Sequence, residues 1–372
     1  MKILMLIPSV LKTEIAQTVE QDQHPRMDYY ALADALRQQN TGEAVNDVVL
    51  LDYAALETTR NKTVKAVHKF AGRDAALALL GFLQSKNSDT IFTNGENIGI
   101  PLSLLLRTLR WRKQRRPGHV TIGHRLSTGK KRLFFGTLGV HREMDMIFVY
   151  ATTQETYGRE QLGIPARKLK RIAFHADDLF YQPQNPAGKS PEELVSAAGL
   201  EWRDYPTLLT AAERLPQVAF KLAAASPWSK HSNQTQGRRL PTNVAARRYE
   251  YSELRQLYAA SAVVAVPLYE NDFQAGVTTM IEAMAMGKPV IVTQTTGQTD
   301  VITHGENGIV VPPNDPDAWE IAIRRLLADP LERQRLGKNA RQWVTQYATL
   351  NRWAETIASS LRESCQSAGK LS

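Results

Sequence analysis

The sequence of 372 residues contains a single cysteine, Cys365, near its end. A disulfide framework and a cysteine zinc cluster are therefore excluded, and a reducing cytoplasmic setting is expected. No apolar run approaches the roughly 18 residues that a membrane helix needs, so no transmembrane span is expected. The opening Met1–Leu11 has one lysine and no small-residue cleavage site after it, and it reads as a first buried strand rather than a signal peptide. The common nucleotide and metal fingerprints are missing as well. There is no G-x-x-x-x-G-K-[ST], and Ile7-Pro8-Ser9-Val10 stands where a G-x-G-x-x-G would follow the first strand. ATPase, kinase and dinucleotide-dehydrogenase readings lose their support. H-E-x-x-H is absent too, which removes the zincins.

What is present is ordinary in bulk and uneven in placement. Apolar residues make up 43% and charged residues 22%, values of a globular chain rather than a disordered or collagenous one. The length points to two domains. The net charge of +9 sits almost wholly in the first half: residues 1–180 hold 26 basic against 18 acidic side chains. Ten of those basic residues fall between Arg107 and Arg132, with no acid among them. Such a block attracts phosphates, on a metabolite, a lipid or a nucleic acid, or simply forms a solvated face.

Short apolar runs alternate with helix-period segments along the chain. The expected strands are Ile3–Ile7, Asp47–Leu51, Thr90–Thr93, Val120–Gly123, Met146–Val149, Leu194–Ala198, Val218–Ala223, Ala262–Val266, Pro289–Thr293 and Gly308–Val311. Helices are expected at Asp28–Gln39, Ala75–Leu83, Pro101–Lys113, Pro206–Leu215, Tyr251–Ala260 and Thr278–Met286. This rhythm argues an α/β fold with doubly wound parallel sheets. Tyr181–Pro191, rich in proline, is the expected linker. Two α/β halves around a linker imply a ligand in a cleft between them, met by loops at the carboxyl ends of strands.

The richest chemistry lies in Val263–Gly308. A strand and loop lead to Ala275-Gly276-Val277-Thr278-Thr279, a small and hydroxylated helix start, and Gly287 with Pro289 ends that helix. Free amides and the positive dipole end make such a start a phosphate cradle, which Gly276 lets a ligand approach closely. Glu282, further along the helix, is placed to accept both hydroxyls of a ribose. On spacing alone, a plain βαβ unit with a solvent-facing glutamate fits equally well.

Here the sequence resembles a known family. Pro267-Leu268, Ile281-Glu282-Ala283-Met284-Ala285-Met286-Gly287-Lys288-Pro289-Val290, Gly297-Gln298-Thr299-Asp300-Val301-Ile302 and Gly305-Glu306-Asn307-Gly308 through Pro316 are similar to the donor domain of retaining glycosyltransferases of the GT-B fold, family 4 (glycosyl transferases group 1). Asp145-Met146-Ile147, Leu162-Gly163-Ile164-Pro165, Asp177 and Tyr181-Gln182-Pro183 resemble the end of that family's first domain. The resemblance covers residues 115–345 well, and the first ninety residues match only as a strand–helix pattern.

The resemblance implies a GT-B architecture of two Rossmann-like domains facing across a cleft. Residues 1–182 would form the acceptor side, 183–345 the nucleotide-sugar donor domain, and 346–372 a helix returning to the first domain. It implies sugar transfer with retention from a nucleoside diphosphate donor, a UDP-sugar favoured, with neither metal nor cofactor. Gly199 and Arg203 occupy the places that meet the donor diphosphate, joined by Gly276, Val277, Thr278 and Thr279, while Glu282 takes the ribose. His124, at the end of a first-domain strand, would face the donor sugar. The family pairs two glutamates eight positions apart, but the position eight before Glu282 is Gln274, which keeps the hydrogen-bonding shape and drops the charge. Leu200 stands where an arginine is common, leaving Arg203 to carry the diphosphate alone.

Three other readings stay open at the sequence level. A nucleotide-sugar epimerase of GT-B type would share the architecture, and Gln274 also fits a non-catalytic nucleotide-sugar binder. A nucleic-acid role rests only on the basic block, which lacks a module signature, and is not expected. Basic residues with aromatics across Arg107–Phe135, including Trp111, Phe134 and Phe135, instead fit peripheral contact with an anionic membrane and a lipid-linked or anionic acceptor. The acceptor itself is unidentified.

Overall fold

The structure is a computed structural model that describes residues 1–12, 14–38, 47–184, 193–224 and 240–369. Two six-stranded parallel sheets organise it. In the first, β1 (Lys2–Leu6), β2 (Asp47–Leu51), β3 (Thr90–Thr93), β4 (Gly118–Gly123), β5 (Met146–Val149) and β6 (Leu169–Arg171) stand in the order β2-β1-β3-β4-β5-β6. In the second, β7 (Leu194–Ala198), β8 (Ala219–Ala223), β9 (Val244–Arg247), β10 (Val263–Val266), β11 (Val290–Thr293) and β12 (Ile309–Val311) stand in the order β12-β11-β10-β7-β8-β9. The doubly wound α/β expectation therefore holds in both halves.

Unit 1 comprises Met1–Glu14, Met27–Ile172 and Asn351–Ser372, and unit 2 comprises Ile15–Arg26 and Ala173–Leu350. The short α1 (Glu14–Glu20) falls, apart from Glu14, in unit 2, and unit 1 carries α2 (Asp28–Arg37), α3 (Ala54–Thr58), α4 (Lys62–Gln84), α5 (Glu96–Trp111), α6 (Gly129–Arg132) and α7 (Thr152–Glu160). Unit 2 carries α8 (Tyr205–Glu213), α9 (Tyr251–Ala260), α10 (Val277–Ala285), α11 (Pro316–Ala328) and α12 (Pro330–Tyr347). The last helix, α13 (Leu350–Gly369), packs in unit 1, where Trp353 donates to the Tyr150 hydroxyl at 3.2 Å and Arg362 to the Ala35 carbonyl at 2.7 Å.

The strands form where apolar runs are buried on both faces, as parallel sheets require. In β10, Val263 and Ala265 pack with Trp319, Ile323 and Leu326, while Val264 and Val266 pack with Met280, Ile281 and Met284. Two helices of unit 2 begin on an aspartate followed by proline. Asp315 accepts from the Ala318 amide and Asp329 from the Glu332 amide, both at 2.9 Å, with Pro316 and Pro330 in the first turn.

Several expectations need correction. Strands β6 and β9 have no counterpart in the sequence reading, because they are only three and four residues long and Lys170, Arg171 and Arg247 leave too short an apolar run in them. The expected helix Ala75–Leu83 is the end of a longer α4, interrupted at Gly72 with φ 85 and ψ 173. Helix α5 starts at Glu96 and tolerates Pro101 within its first turns. Of the expected linker, Tyr181 is buried in the core of unit 2, and 185–191 lie outside the described residues.

The basic block also reads differently once folded. Arg107 and Arg110 pair with buried Glu143 at 3.5 and 3.0 Å, Arg115 with Asp89 at 2.6 Å, Arg116 with Asp145 at 2.7 Å, and Lys131 with Glu96. Phe135 is fully buried and Phe134 partly so, hence the second basic stretch does not end in exposed aromatics. Trp111 does stand out in solvent, 71% exposed.

Candidate functional site

The strand order of unit 2 reverses between β7 and β10, and loops leaving neighbouring strands part there. A cavity of about 340 Å3 opens at that point. Its floor is the turn after β7 and the start of α10, and its rim is the β9–α9 loop with Arg248, Tyr249, Glu250 and Tyr251.

Arg203 defines the floor. Its guanidinium is buried, and Nε donates to the Ala198 carbonyl at 2.8 Å, Nη1 to the Glu201 carbonyl at 2.8 Å and Nη2 to the Thr279 hydroxyl at 3.2 Å. One N–H on each terminal nitrogen remains unused by these bonds. No carboxylate among the described residues forms an ion pair with it, and burial depresses its pKa from the ordinary value. Two glycines make room for the group. A Cβ on Gly199 (φ 94) would lie 2.5 Å from Arg203 Nη2, and one on Gly276 (φ 75) would lie 3.1 Å from Nη1. A buried cation with spare donors and no counter-charge is a receptor for an anion.

Helix α10 supplies a second anion-binding element. Gly276 is its cap in the left-handed region, and Thr278 and Thr279 follow at the cavity wall. First-turn amides lack intrahelical acceptors and carry the positive dipole end. The Val277 amide is partly used, donating to the Gln274 carbonyl at 3.4 Å. The Val277 side chain points into the core and lines no part of the cavity.

Glu282 faces the same cavity from the middle of α10 and is buried, so the solvent-facing alternative is excluded. Tyr258 of α9 donates to Glu282 Oε2 at 3.1 Å. Burial pushes the Glu282 carboxyl up to about 7, against the opposing pull of neighbouring tyrosine hydroxyls. The cavity thus holds a cation and a helix start on its floor and a hydroxyl acceptor on its wall. Sequence reasoning missed Tyr258 and the Tyr249–Tyr251 rim. The available signal was the start of α9, where Glu250 and Glu253 form a capping box that fixes the rim loop.

Gly199, Arg203, Gly276, Thr278, Thr279 and Glu282 come together around this cavity. Gln274 is buried but does not line it, and its Nε2 donates to Asp300 Oδ2 at 3.4 Å while its Oε1 finds no hydrogen-bond partner among the described residues. His124 belongs to unit 1, exposed at the carboxyl end of β4. Its amide and that of Arg125 donate to Glu96 at 2.9 and 3.2 Å, and its ring lies 5.6 Å from that of Tyr150. Burial alone would raise Glu96, but His124 and Lys131 outweigh it and hold the carboxyl below its usual value. Nearby, the Asn94 side chain donates to Asp28 at 3.1 Å, and burial raises Asp28.

Comparison with known proteins sets this geometry in context. Residues 179–343 match the family model for glycosyl transferases group 1. A D-inositol 3-phosphate glycosyltransferase of Corynebacterium glutamicum is 37% identical over 107 residues, 29% of this chain and 24% of that protein. An uncharacterized glycosyltransferase of Methanocaldococcus jannaschii is 35% identical over 105 residues, 28% of this chain and 26% of that protein. The matched stretches therefore span about a quarter of the length of these curated relatives. Among solved structures, Anabaena HepE in complex with UDP superposes with a TM-score of 0.70 at 16% identity, covering 98% of this chain and 100% of that one. Sucrose-phosphate synthase from Thermosynechococcus elongatus gives 0.67 at 20% identity over 98% and 99% of the two chains. The fold is GT-B, and every residue lining the cavity lies within the stretch that matches glycosyl transferases group 1.

Proposed function

We propose that the protein is a glycosyltransferase that moves a sugar, with retention of anomeric configuration, from a nucleoside diphosphate donor to an acceptor hydroxyl. The observation that carries this reading is Arg203: a buried guanidinium without a carboxylate partner among the described residues, aimed into a cavity at the strand switch point beside a helix N-terminus. A diphosphate fits that floor. A ribose fits Glu282, whose carboxylate accepts two hydroxyl hydrogen bonds. A UDP-sugar is the favoured donor, supported by the UDP and UDP-glucose complexes of the HepE fold relative.

In this mechanism the bond between the anomeric carbon and the diphosphate oxygen breaks as the acceptor hydroxyl attacks from the same face. The departing phosphate oxygen takes the hydroxyl proton, so no separate general base is required. Negative charge grows on the leaving diphosphate, and Arg203 with the first-turn amides of α10 is preorganised to meet it. These groups supply the positive charge, and the reaction is proposed to run without a metal or a resident cofactor. Gln274 and His124 take part as sugar-orienting groups through the family resemblance alone.

A donor screen tests the reading. UDP-glucose, UDP-N-acetylglucosamine and GDP-mannose are added separately, and thermal unfolding is followed. The reading requires one of them to raise the transition, and Arg203→Met to remove the rise. No shift with any donor would refute it.

A further inference from the structure

Unit 2 includes Ile15–Arg26, a stretch from near the start of the chain and outside residues 179–343 that match the family model. None of its residues is buried, so no apolar anchor holds it in place. The turn after α1, Gln21-Asp22-Gln23-His24-Pro25-Arg26, is polar apart from its proline. It closes the helix in a Schellman arrangement, the Gln23 amide donating to the Thr18 carbonyl at 2.9 Å and the Asp22 amide to the Val19 carbonyl at 3.0 Å. Asp22 takes the left-handed position at φ 55, a place that glycine or asparagine fills at lower cost.

The aspartate is explained by what it meets. Arg255 of α9, itself buried, grips its carboxylate with both terminal nitrogens, Nη1 to Oδ1 at 2.7 Å and Nη2 to Oδ2 at 2.8 Å. Nη2 also donates to the Asp22 carbonyl at 3.0 Å, and the Arg255 hydrogen bond holds the Asp22 carboxyl below its usual value. Two residues on, the His24 ring meets the Tyr251 ring edge-on with centroids 4.3 Å apart. Arg26 then fixes the end of the segment, donating from Nε and Nη2 to Asp177 Oδ1 at 3.0 and 2.7 Å. Two of these contacts fall on the helix that walls the cavity. Along α9, Tyr251, Leu254 and Tyr258 line the cavity at i, i+3 and i+7, and Arg255 stands beside Tyr251 at i+4.

We propose that Ile15–Arg26 is a strap that positions the nucleoside end of the cavity, with Asp22 and His24 as positioning residues acting through Arg255 and Tyr251. The proposal rests on the nucleotide reading of the cavity. It adds that nucleoside affinity depends on a carboxylate 233 residues before Arg255 in sequence, in a part of the chain that the family match does not reach. Linkage makes the effect reciprocal: what the strap contributes to ligand binding returns as stabilisation of the strap by the ligand.

The test combines calorimetry of uridine and UDP with amide hydrogen exchange, both on the full chain. An aromatic pair is worth about two- to tenfold in an equilibrium constant, so His24→Ala should weaken uridine and UDP alike by about that factor. His24→Phe keeps a ring against Tyr251 and should restore both. Asp22→Asn keeps the left-handed turn and drops the charge, and it should also weaken both ligands. The control Glu20→Gln, at the exposed end of α1, should change neither. Uridine should slow exchange across residues 15–26 in the native chain, and His24→Ala should diminish that slowing. Native-like affinity in His24→Ala and Asp22→Asn, an equal loss in Glu20→Gln, a loss confined to UDP, or exchange in 15–26 indifferent to uridine overturns the proposal and leaves the nucleotide reading standing. A native chain that binds neither uridine nor UDP overturns both.

Discussion

Glu282→Gln should make the ligand-free protein more stable at alkaline pH while weakening nucleotide binding. The carboxyl is buried on α10 and titrates near 7, whereas its unperturbed value is 4.5. A raised acid pKa means that the native state holds its proton more tightly than the unfolded chain does. The associated stability is therefore complete below pH 4.5 and is lost as pH rises through about 7. A shift of about 2.5 units corresponds to about 3 kcal/mol at pH 8 and under about 1 kcal/mol at pH 5. Glutamine keeps the shape without ionising, so urea unfolding should show the variant gaining about that much at pH 8 and little at pH 5. A pH-independent difference between the two proteins would refute the argument. Calorimetry supplies the second half: UDP affinity of the native chain should rise between pH 6 and pH 8 as the carboxylate forms, and the variant should lose that dependence.

Gly199→Ala places a Cβ 2.5 Å from Arg203 Nη2 at a φ of 94, so it should cost about 1–3 kcal/mol in urea unfolding and weaken UDP binding. Unchanged affinity would separate Gly199 from the site. Gln274 lines no part of the nucleotide cavity, so Gln274→Ala should leave UDP affinity nearly intact while eroding discrimination between donor sugars in competition assays. A large loss of UDP affinity would contradict its placement.

Much of the fold was legible because its strands are short, continuous and apolar. Asp47–Leu51, Met146–Val149 and Leu194–Ala198 coincide with the observed strands end to end. Strands β6 and β9 escaped for a physical reason: they are three and four residues long, and Lys170, Arg171 and Arg247 leave only Leu169 and the short Val244–Ala246 stretch apolar. The N-terminal part of α4 was illegible because its lysines and exposed phenylalanine mask a weak apolar face. Within the candidate site, Gly276 to Glu282 were visible as motif and spacing. Tyr258 was not, since a tyrosine on an otherwise apolar helix face looks like core until its hydroxyl is seen 3.1 Å from Glu282. The ion pairs of Arg107, Arg110, Arg115 and Arg116 were likewise invisible, because Asp89, Glu143 and Asp145 lie well away along the chain.

The central claim is that Arg203 and the start of α10 hold the diphosphate of a nucleotide donor. The most direct measurement compares uridine with UDP by calorimetry, in the native chain and in Arg203→Met. Methionine fills the buried space without the charge and leaves Glu282 and the rim in place. Hydrogen bonds to charged groups are each worth about 1.5–3 kcal/mol, so the native chain should prefer UDP over uridine by at least about tenfold for each one made. Arg203→Met should bind uridine as before and lose most of the preference for UDP. An undiminished preference in the variant, or native binding that does not distinguish UDP from uridine, would contradict the account.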